Sequence, residues 1–130
     1  MSTEENKAVV RRFAEAYNGR DAAVLNEVLA PDAAQRYLEI YIPRNSATWA
    51  DERLEVTDTL AEGDRVWARV THSARHVGEY RGIPPTGKTK TNAGCIFCRV
   101  TAGKIVEHAT LWDSLGELTQ LGGVIVPGAQ

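Results

Sequence analysis

The sequence predicts an α+β fold, with helices first and an antiparallel sheet after them. Two observations carry this. Apolar residues recur at helical spacing up to Pro31, then at period two, and the later strand-like runs are separated by hairpin signals at Glu62-Gly63-Asp64 and Ala102-Gly103. With 130 residues and neither an internal repeat nor a linker, residues 1–130 read as a single domain around one core.

The first helix is expected from Thr3 to about Gly19. Val9, Val10, Phe13, Ala14, Ala16 and Tyr17 form its apolar face, and Lys7, Arg11, Arg12 and Glu15 lie largely opposite. Thr3 and two glutamates suit its first turn, and Asn18-Gly19 is a stop signal. A shorter helix follows, with Asp21 as N-cap, and runs to Pro31. Tyr37-Leu38-Glu39-Ile40-Tyr41-Ile42 then reads as strand, and Asn45-Ser46 as the cap of one helical turn through Trp49. Strands are expected from Leu54 to Leu60, Arg65 to about Tyr80, Thr89 to Val100 and Lys104 to Trp112.

Composition excludes several classes. Hydrophobic residues at 43% and charged residues at 25% are an ordinary globular balance, which argues against disorder. A formal net charge of -2 gives no basic footprint for nucleic acid or for an anionic membrane, so neither is expected as a partner. The apolar runs are too short to cross a bilayer. MSTEENKAVV lacks the basic-then-apolar pattern of a secretory signal, and two cysteines make no disulfide framework. The expected compartment is cytoplasmic.

Two literal motif matches read better as structure. Gly82-Ile83-Pro84-Pro85-Thr86-Gly87-Lys88-Thr89 fits the P-loop pattern, but two prolines remove amide donors and a strand follows where a helix is required. It reads as a turn between antiparallel strands. Cys95-Ile96-Phe97-Cys98 fits C-x-x-C. On a strand, however, residues three apart face opposite sides with Cα atoms roughly 10 Å apart, beyond disulfide reach. Neither a metal nor a cofactor is expected.

His72 and His76 share a strand face with Val66, Ala68, Val70 and Ala74. Roughly 13 Å apart, they are no metal pair, but either suits a single polar group in an apolar pocket or an inert histidine near a sheet end. Strict alternation on the last strand puts Ile105, Glu107, Ala109, Leu111 and Asp113 on one face, with Lys104, Val106, His108, Thr110 and Trp112 on the other. Asp113, at the end of an apolar strand face, is suited to general-base work. It is equally suited to capping a short helix over Ser114-Leu115-Gly116.

The segments NKAVVRRFAEAYNGRD, LNEVLAPDA, AEGDRVWARV, HVGEYRGIPPTGK, FCRVTAGKIVEH and WDSLGELTQLG follow one another in order and cover most of the chain. Together they resemble the SnoaL-like polyketide cyclases of the nuclear-transport-factor-2-like superfamily. The GIPPTGK turn and the terminal W-D-x-L-G-x-x-x-Q-L-G are the specific parts. The resemblance implies a cone-shaped α+β barrel in which a strongly curved antiparallel sheet wraps the N-terminal helices around an apolar cavity. It also implies a cofactor-independent aldol cyclisation, in which a late-strand aspartate removes a proton alpha to a carbonyl. Asp113 is the position that fits that aspartate. The chain departs from the pattern in three places. The preceding strand offers Asn92, Gly94, Ile96 and Cys98 with no histidine, the stretch between Pro31 and Leu54 is short, and Ala109 stands where an aromatic is expected.

The resulting expectation is a cofactor-independent enzyme of cyclase or isomerase type, acting on a small apolar carbonyl compound such as a polyketide. Asp113 would be the base, and His76 or His72 an acid or hydrogen-bond donor. Tyr17, Trp49, Trp67, Asn92 and Ala109 would contact the substrate. A non-catalytic small-molecule binding domain of the same fold is the alternative. A homodimer is expected through the outward sheet face, where Trp67 and Phe97 lie.

Overall fold

The computed structural model describes residues 1–123. Helix α1 (Thr3–Gly19) begins at a capping box. The Ser2 hydroxyl accepts from the Glu5 amide, and the Glu5 carboxylate accepts from the Ser2 amide. Helix α2 (Ala22–Val28) starts where the sequence places it, with the Asp21 side chain accepting from the Val24 amide. Helices α3 (Pro31–Arg36) and α4 (Ile42–Thr48) follow, joined by a wider π turn at Tyr37–Tyr41.

That π turn corrects the strand expected over residues 37–42, and Asn45-Ser46, expected to cap one helical turn through Trp49, lie inside α4, which ends at Thr48 with Trp49 opening the sheet. Tyr37, Leu38, Tyr41 and Ile42 recur at i and i+4 as well as at period two, so so short an apolar run fits either element. The turn ends just before Pro43, which has no amide to donate, and the Ile42 amide reaches back to the Tyr37 carbonyl.

Strands β1 (Trp49–Glu62), β2 (Arg65–His76), β3 (Thr89–Thr101) and β4 (Lys104–Trp112) form one curved, open antiparallel sheet in chain order. The Ala102-Gly103 hairpin turn has both residues at positive φ, as a two-residue turn of the twist-matching type requires. Helix α5 (Ser114–Gln120) closes the described chain.

The concave face carries the core. Val10, Phe13, Ala14 and Tyr17 of α1 and Leu25, Val28 and Leu29 after them pack on Leu54, Val66, Ala68, Val70, Ile96, Cys98, Val100 and Ile105. Asn18 ties α1 to the sheet by taking the place of a strand partner, its side chain donating to the Leu54 carbonyl and accepting from the Leu54 amide.

Register shifts decide which side chains face inward. In β1, Ala50 pairs with Arg75 but Arg53 with Ser73, and Asp51 sits at φ 55°. Glu52 alternates with the buried Leu54, and the bulge brings Trp49 onto the same concave face, where strict alternation would separate the two. In β4, Arg99 pairs with Glu107 but Val100 with Ile105. The bulge at Val106 corrects the expected alternation, since Ile105 shares the inner face with His108, Thr110 and Trp112 rather than with Glu107 and Ala109. As the sequence predicts, Cys95 and Cys98 are free and differ in burial.

Candidate functional site

The concave face encloses a cavity of about 780 Å³. Its wall is aromatic: Phe13, Tyr17, Tyr37, Tyr41, Trp49 and Trp112. Tyr37 stands edge-on to Phe13, Tyr17 and Tyr41, with ring centroids 5.1 to 6.2 Å apart. Its hydroxyl meets His108 Nε2 at 3.1 Å. Burial, with Arg36 nearby, pushes the His108 imidazole below its usual range and so favours the neutral ring. Trp112 lies flat against β3 because position 94 is glycine; a Cβ there would sit 2.3 Å from the indole.

Polar groups gather at one end of the cavity. Glu52, 3% exposed, receives Arg20 on one oxygen at 2.6 Å, and the Tyr17 hydroxyl and His72 Nε2 on the other at 2.8 and 2.6 Å. Burial pushes this carboxyl up, but the His72, Arg20 and Tyr17 hydrogen bonds together outweigh it and hold the pKa at about 2. Burial and the Glu52 charge push the Tyr17 hydroxyl well above the usual tyrosine range.

His72 Nδ1 meets the Lys90 ammonium, which also donates to Asn92 Oδ1 at 2.6 Å and pairs with Glu117 Oε2 at 2.7 Å. Burial pushes Lys90 below the usual lysine range, against the opposing pull of Glu117 and Glu52. The other Glu117 oxygen accepts from the Tyr80 hydroxyl. A continuous chain therefore runs Arg20–Glu52–His72–Lys90–Glu117–Tyr80, half-exposed at its two ends, with Glu52, His72, Tyr80, Asn92 and Glu117 facing the cavity.

The terminal motif builds one end of this chain. Asp113 caps α5, its carboxylate accepting from the Gly116 amide at 2.9 Å. Gly116 leaves room for that carboxylate, since a Cβ would meet it at 2.3 Å. Gln120 accepts from the Thr91 amide and donates to the Thr91 carbonyl, which fixes α5 against β3. Glu117, one turn after the cap, is thereby aimed at Lys90.

The structure brings together His72, Tyr17, Trp49 and Asn92 of the residues expected from the sequence. The other four lie elsewhere. Asp113 is exposed, does not line the cavity and spends its carboxylate on the helix cap. His76 is fully buried under the GIPPTGK turn, where Nδ1 accepts from the Thr86 amide at 3.2 Å. The Gly87 amide also donates to the His76 carbonyl, so the P-loop look-alike is a turn folded onto β2. Trp67 and Ala109 flank Phe97 in register and lie on the convex face. The wall roles expected of them are corrected by the inward positions of their neighbours Val66, Ala68 and His108.

Sequence reasoning missed Glu52, Lys90, Glu117 and Tyr80. Lys90 carried a signal, because it falls on the same alternating face as Asn92, Gly94 and Ile96, where a charged residue has no reason to be without partners. Glu52 carried a weak one, since it falls two residues before Leu54 on the same alternating face, though ahead of the strand start expected at Leu54. Among the described residues, no group of three or more His, Cys, Asp or Glu side chains is placed to hold a metal ion.

A curved, open antiparallel sheet wrapped over N-terminal helices, with an aromatic cavity and a set of converging polar groups on its concave face, is an architecture of the cone-shaped α+β class. The chain belongs to the SnoaL-like polyketide cyclase family, whose pattern matches residues 7–121. It is 34% identical over 128 residues to the aklanonic acid methyl ester cyclase DauD of Streptomyces sp. strain C5, covering 88% of this chain and 80% of DauD. It is 33% identical over 136 residues to the aklanonic acid methyl ester cyclase DnrD of Streptomyces peucetius, covering 94% of this chain and 92% of DnrD. The solved structure of TsrD from Streptomyces laurentii superimposes with a TM-score of 0.82 at 27% identity, covering 95% of this chain and 99% of TsrD.

Proposed function

We propose that the protein is a cofactor-independent cyclase that closes a ring on a small, largely apolar polyketide-like carbonyl compound. The observation that carries this reading is the cavity of about 780 Å³, with an aromatic wall and a hydrogen-bonded cluster of Glu52, His72, Asn92 and Glu117 facing it. Such a site grips a flat polycyclic substrate by its faces and presents few groups to the reacting carbons.

Three titratable groups of the polar cluster face the cavity and are weighed as the base. Glu52 already accepts from three donors and its pKa of about 2 makes it a poor proton acceptor at neutral pH. His72 has both ring nitrogens engaged. Glu117 faces the cavity with lone pairs beyond those given to Lys90 and Tyr80. We therefore assign the proton abstraction to Glu117 and give Asp113, expected as base, the task of holding α5. Glu117 takes a proton alpha to a carbonyl, and the C–H electrons move onto the carbonyl oxygen as an enolate. The enolate carbon then bonds to a second carbonyl carbon of the same molecule, and the alkoxide so formed takes the proton back. The product is an isomer of the substrate, so no oxidant or reductant is consumed.

The test is conversion of aklanonic acid methyl ester, the compound in the names of DauD and DnrD, followed by product analysis. Positioned general-base catalysis is worth ~10²–10⁴-fold, so Glu117→Gln should lose that much turnover per folded molecule, the folded fraction being read by circular dichroism because the change also removes the carboxylate paired with Lys90. Unchanged turnover in that variant sinks the assignment.

One observation favours a binding domain instead. The inward residues of β4 are His108, Thr110 and Trp112, with no carboxylate where the resemblance implies the late-strand base. Saturable thermal stabilisation by the ester without any product establishes that alternative. The expected homodimer would use the convex face, where Leu60, Phe97 and Leu111 are exposed at 63, 45 and 69%.

A further inference from the structure

Lys90 is the cavity-end group that the proton transfer does not use, and the fold goes to some length to enclose it. Its side chain is 0% exposed, and the ammonium stands 4.8 Å from the centre of the Trp49 ring, which covers its remaining side. It does not line the cavity. Its other neighbours are Glu117 Oε2, Asn92 Oδ1 and His72 Nδ1.

A lysine ammonium has three donors and no acceptor, so each of these neighbours must turn a lone pair toward it. For His72 this puts the ring proton on Nε2, where it is donated to Glu52. For Asn92 it fixes the amide the right way round, with oxygen on Lys90 and the Nδ2 hydrogens facing away. One of them makes a long bond of 3.4 Å to the Asp113 carbonyl, and the other has no acceptor among the described residues. Asn92 is on the cavity wall, so that free N–H is the polar part it offers a ligand.

We propose that Lys90 is the positioning residue of the site and that the Asn92 Nδ2–H it orients receives the enolate oxygen when Glu117 takes the proton. This deepens the cyclase reading and rests on it. Glu117 and Asn92 hang from one nitrogen, at 2.7 and 2.6 Å, so the group that removes the proton and the group that receives the developing charge are fixed relative to each other. A donor set in advance where charge develops stabilises the transition state without reorganising during the reaction. His72, held by the same ammonium and by Glu52, keeps Lys90 from swinging toward the cavity.

Asn92→Leu keeps the volume and removes the donor. With aklanonic acid methyl ester as probe, its kcat should fall about 10²–10³-fold, with KM changed less than about threefold if the donor serves the transition state rather than binding. Lys90→Met should lose a similar amount. Placed in the Asn92→Leu background, it should cost clearly less than it does alone, because the part of its effect that runs through the Asn92 amide is already lost.

Lys90→Met leaves a buried carboxylate unpaired, so the donor is also read in Asn92→Leu alone. The coloured phenol 2-hydroxyanthraquinone serves as enolate mimic. Wild type should bind its ionised form in preference, and Asn92→Leu should weaken the ionisation of the bound dye by about tenfold or more, the worth of a hydrogen bond to a charged oxygen. Kinetics and dye ionisation both within about threefold of wild type in Asn92→Leu overturn the donor. Fully multiplicative losses in the double variant overturn the positioning role. A dye effect that Asn92→Leu abolishes, in a protein that leaves the ester unconverted, rejects the cyclase reading and keeps the donor.

Discussion

Acidification isolates what Glu52 contributes to folding. Its carboxyl titrates at about 2 in the folded chain against an ordinary value of 4.5. A folded-state pKa held below the unfolded one stabilises the protein fully above the unfolded value and is lost as pH falls through the folded one. The window is therefore between about pH 5 and pH 2. The drop is about two and a half units, and each unit corresponds to about 1.4 kcal/mol. Allowing for partial screening at the cavity mouth, roughly 2–3 kcal/mol of stability should disappear across that window. The assay is urea denaturation of wild type and Glu52→Gln at pH 7, 5, 4, 3 and 2. The variant should be destabilised at pH 7, since Arg20, His72 and Tyr17 lose their ionised acceptor, and the gap should narrow by roughly 2–3 kcal/mol by pH 2. Two stability curves that stay parallel within about 0.5 kcal/mol over the whole range refute the argument, because Glu52 would then titrate alike folded and unfolded.

Three further outcomes are expected. Asp113→Ala should cost about 1 kcal/mol in thermal unfolding through loss of the α5 cap, while keeping turnover within about tenfold; a loss as deep as that of Glu117→Gln returns the base to Asp113. Gly94→Ala drives a Cβ into the Trp112 indole at 2.3 Å, so it should destabilise by about 1–3 kcal/mol and alter the tryptophan fluorescence; an unperturbed spectrum and midpoint would mean that Trp112 does not lie there. Phe97→Lys should convert a dimer to a 14.2 kDa monomer in sedimentation equilibrium, and a wild type already at that mass removes the convex face as a pairing surface.

Helix caps, hairpin turns and most strand limits were legible in the sequence because each depends on neighbours in the chain. Asp21 caps α2 through an amide three residues on, and Ala102-Gly103 turns the chain through its own dihedral angles. The alternation in β2 put His72 on the core face, and that in β3 put Asn92 on the side where it is found, since neither strand is bulged there. The order of the segments likewise pointed to the family.

The chemistry of the cavity was decided in three dimensions. A one-residue bulge reverses the facing of every residue beyond it. The bulge at Asp51 puts Trp49 on the same face as Glu52, and the bulge at Val106 parts Ile105 from Glu107 and Ala109. Lys90, His72, Glu52 and Glu117 come from three strands and a helix and meet only when the sheet curves and α5 docks. Asp113 shows the reverse: next to a short helix, its local use as a cap took its carboxylate out of the cavity. Local patterns fixed what each segment becomes, whereas which polar groups share a buried site depended on register and docking, and these are set by contacts between residues far apart in the chain.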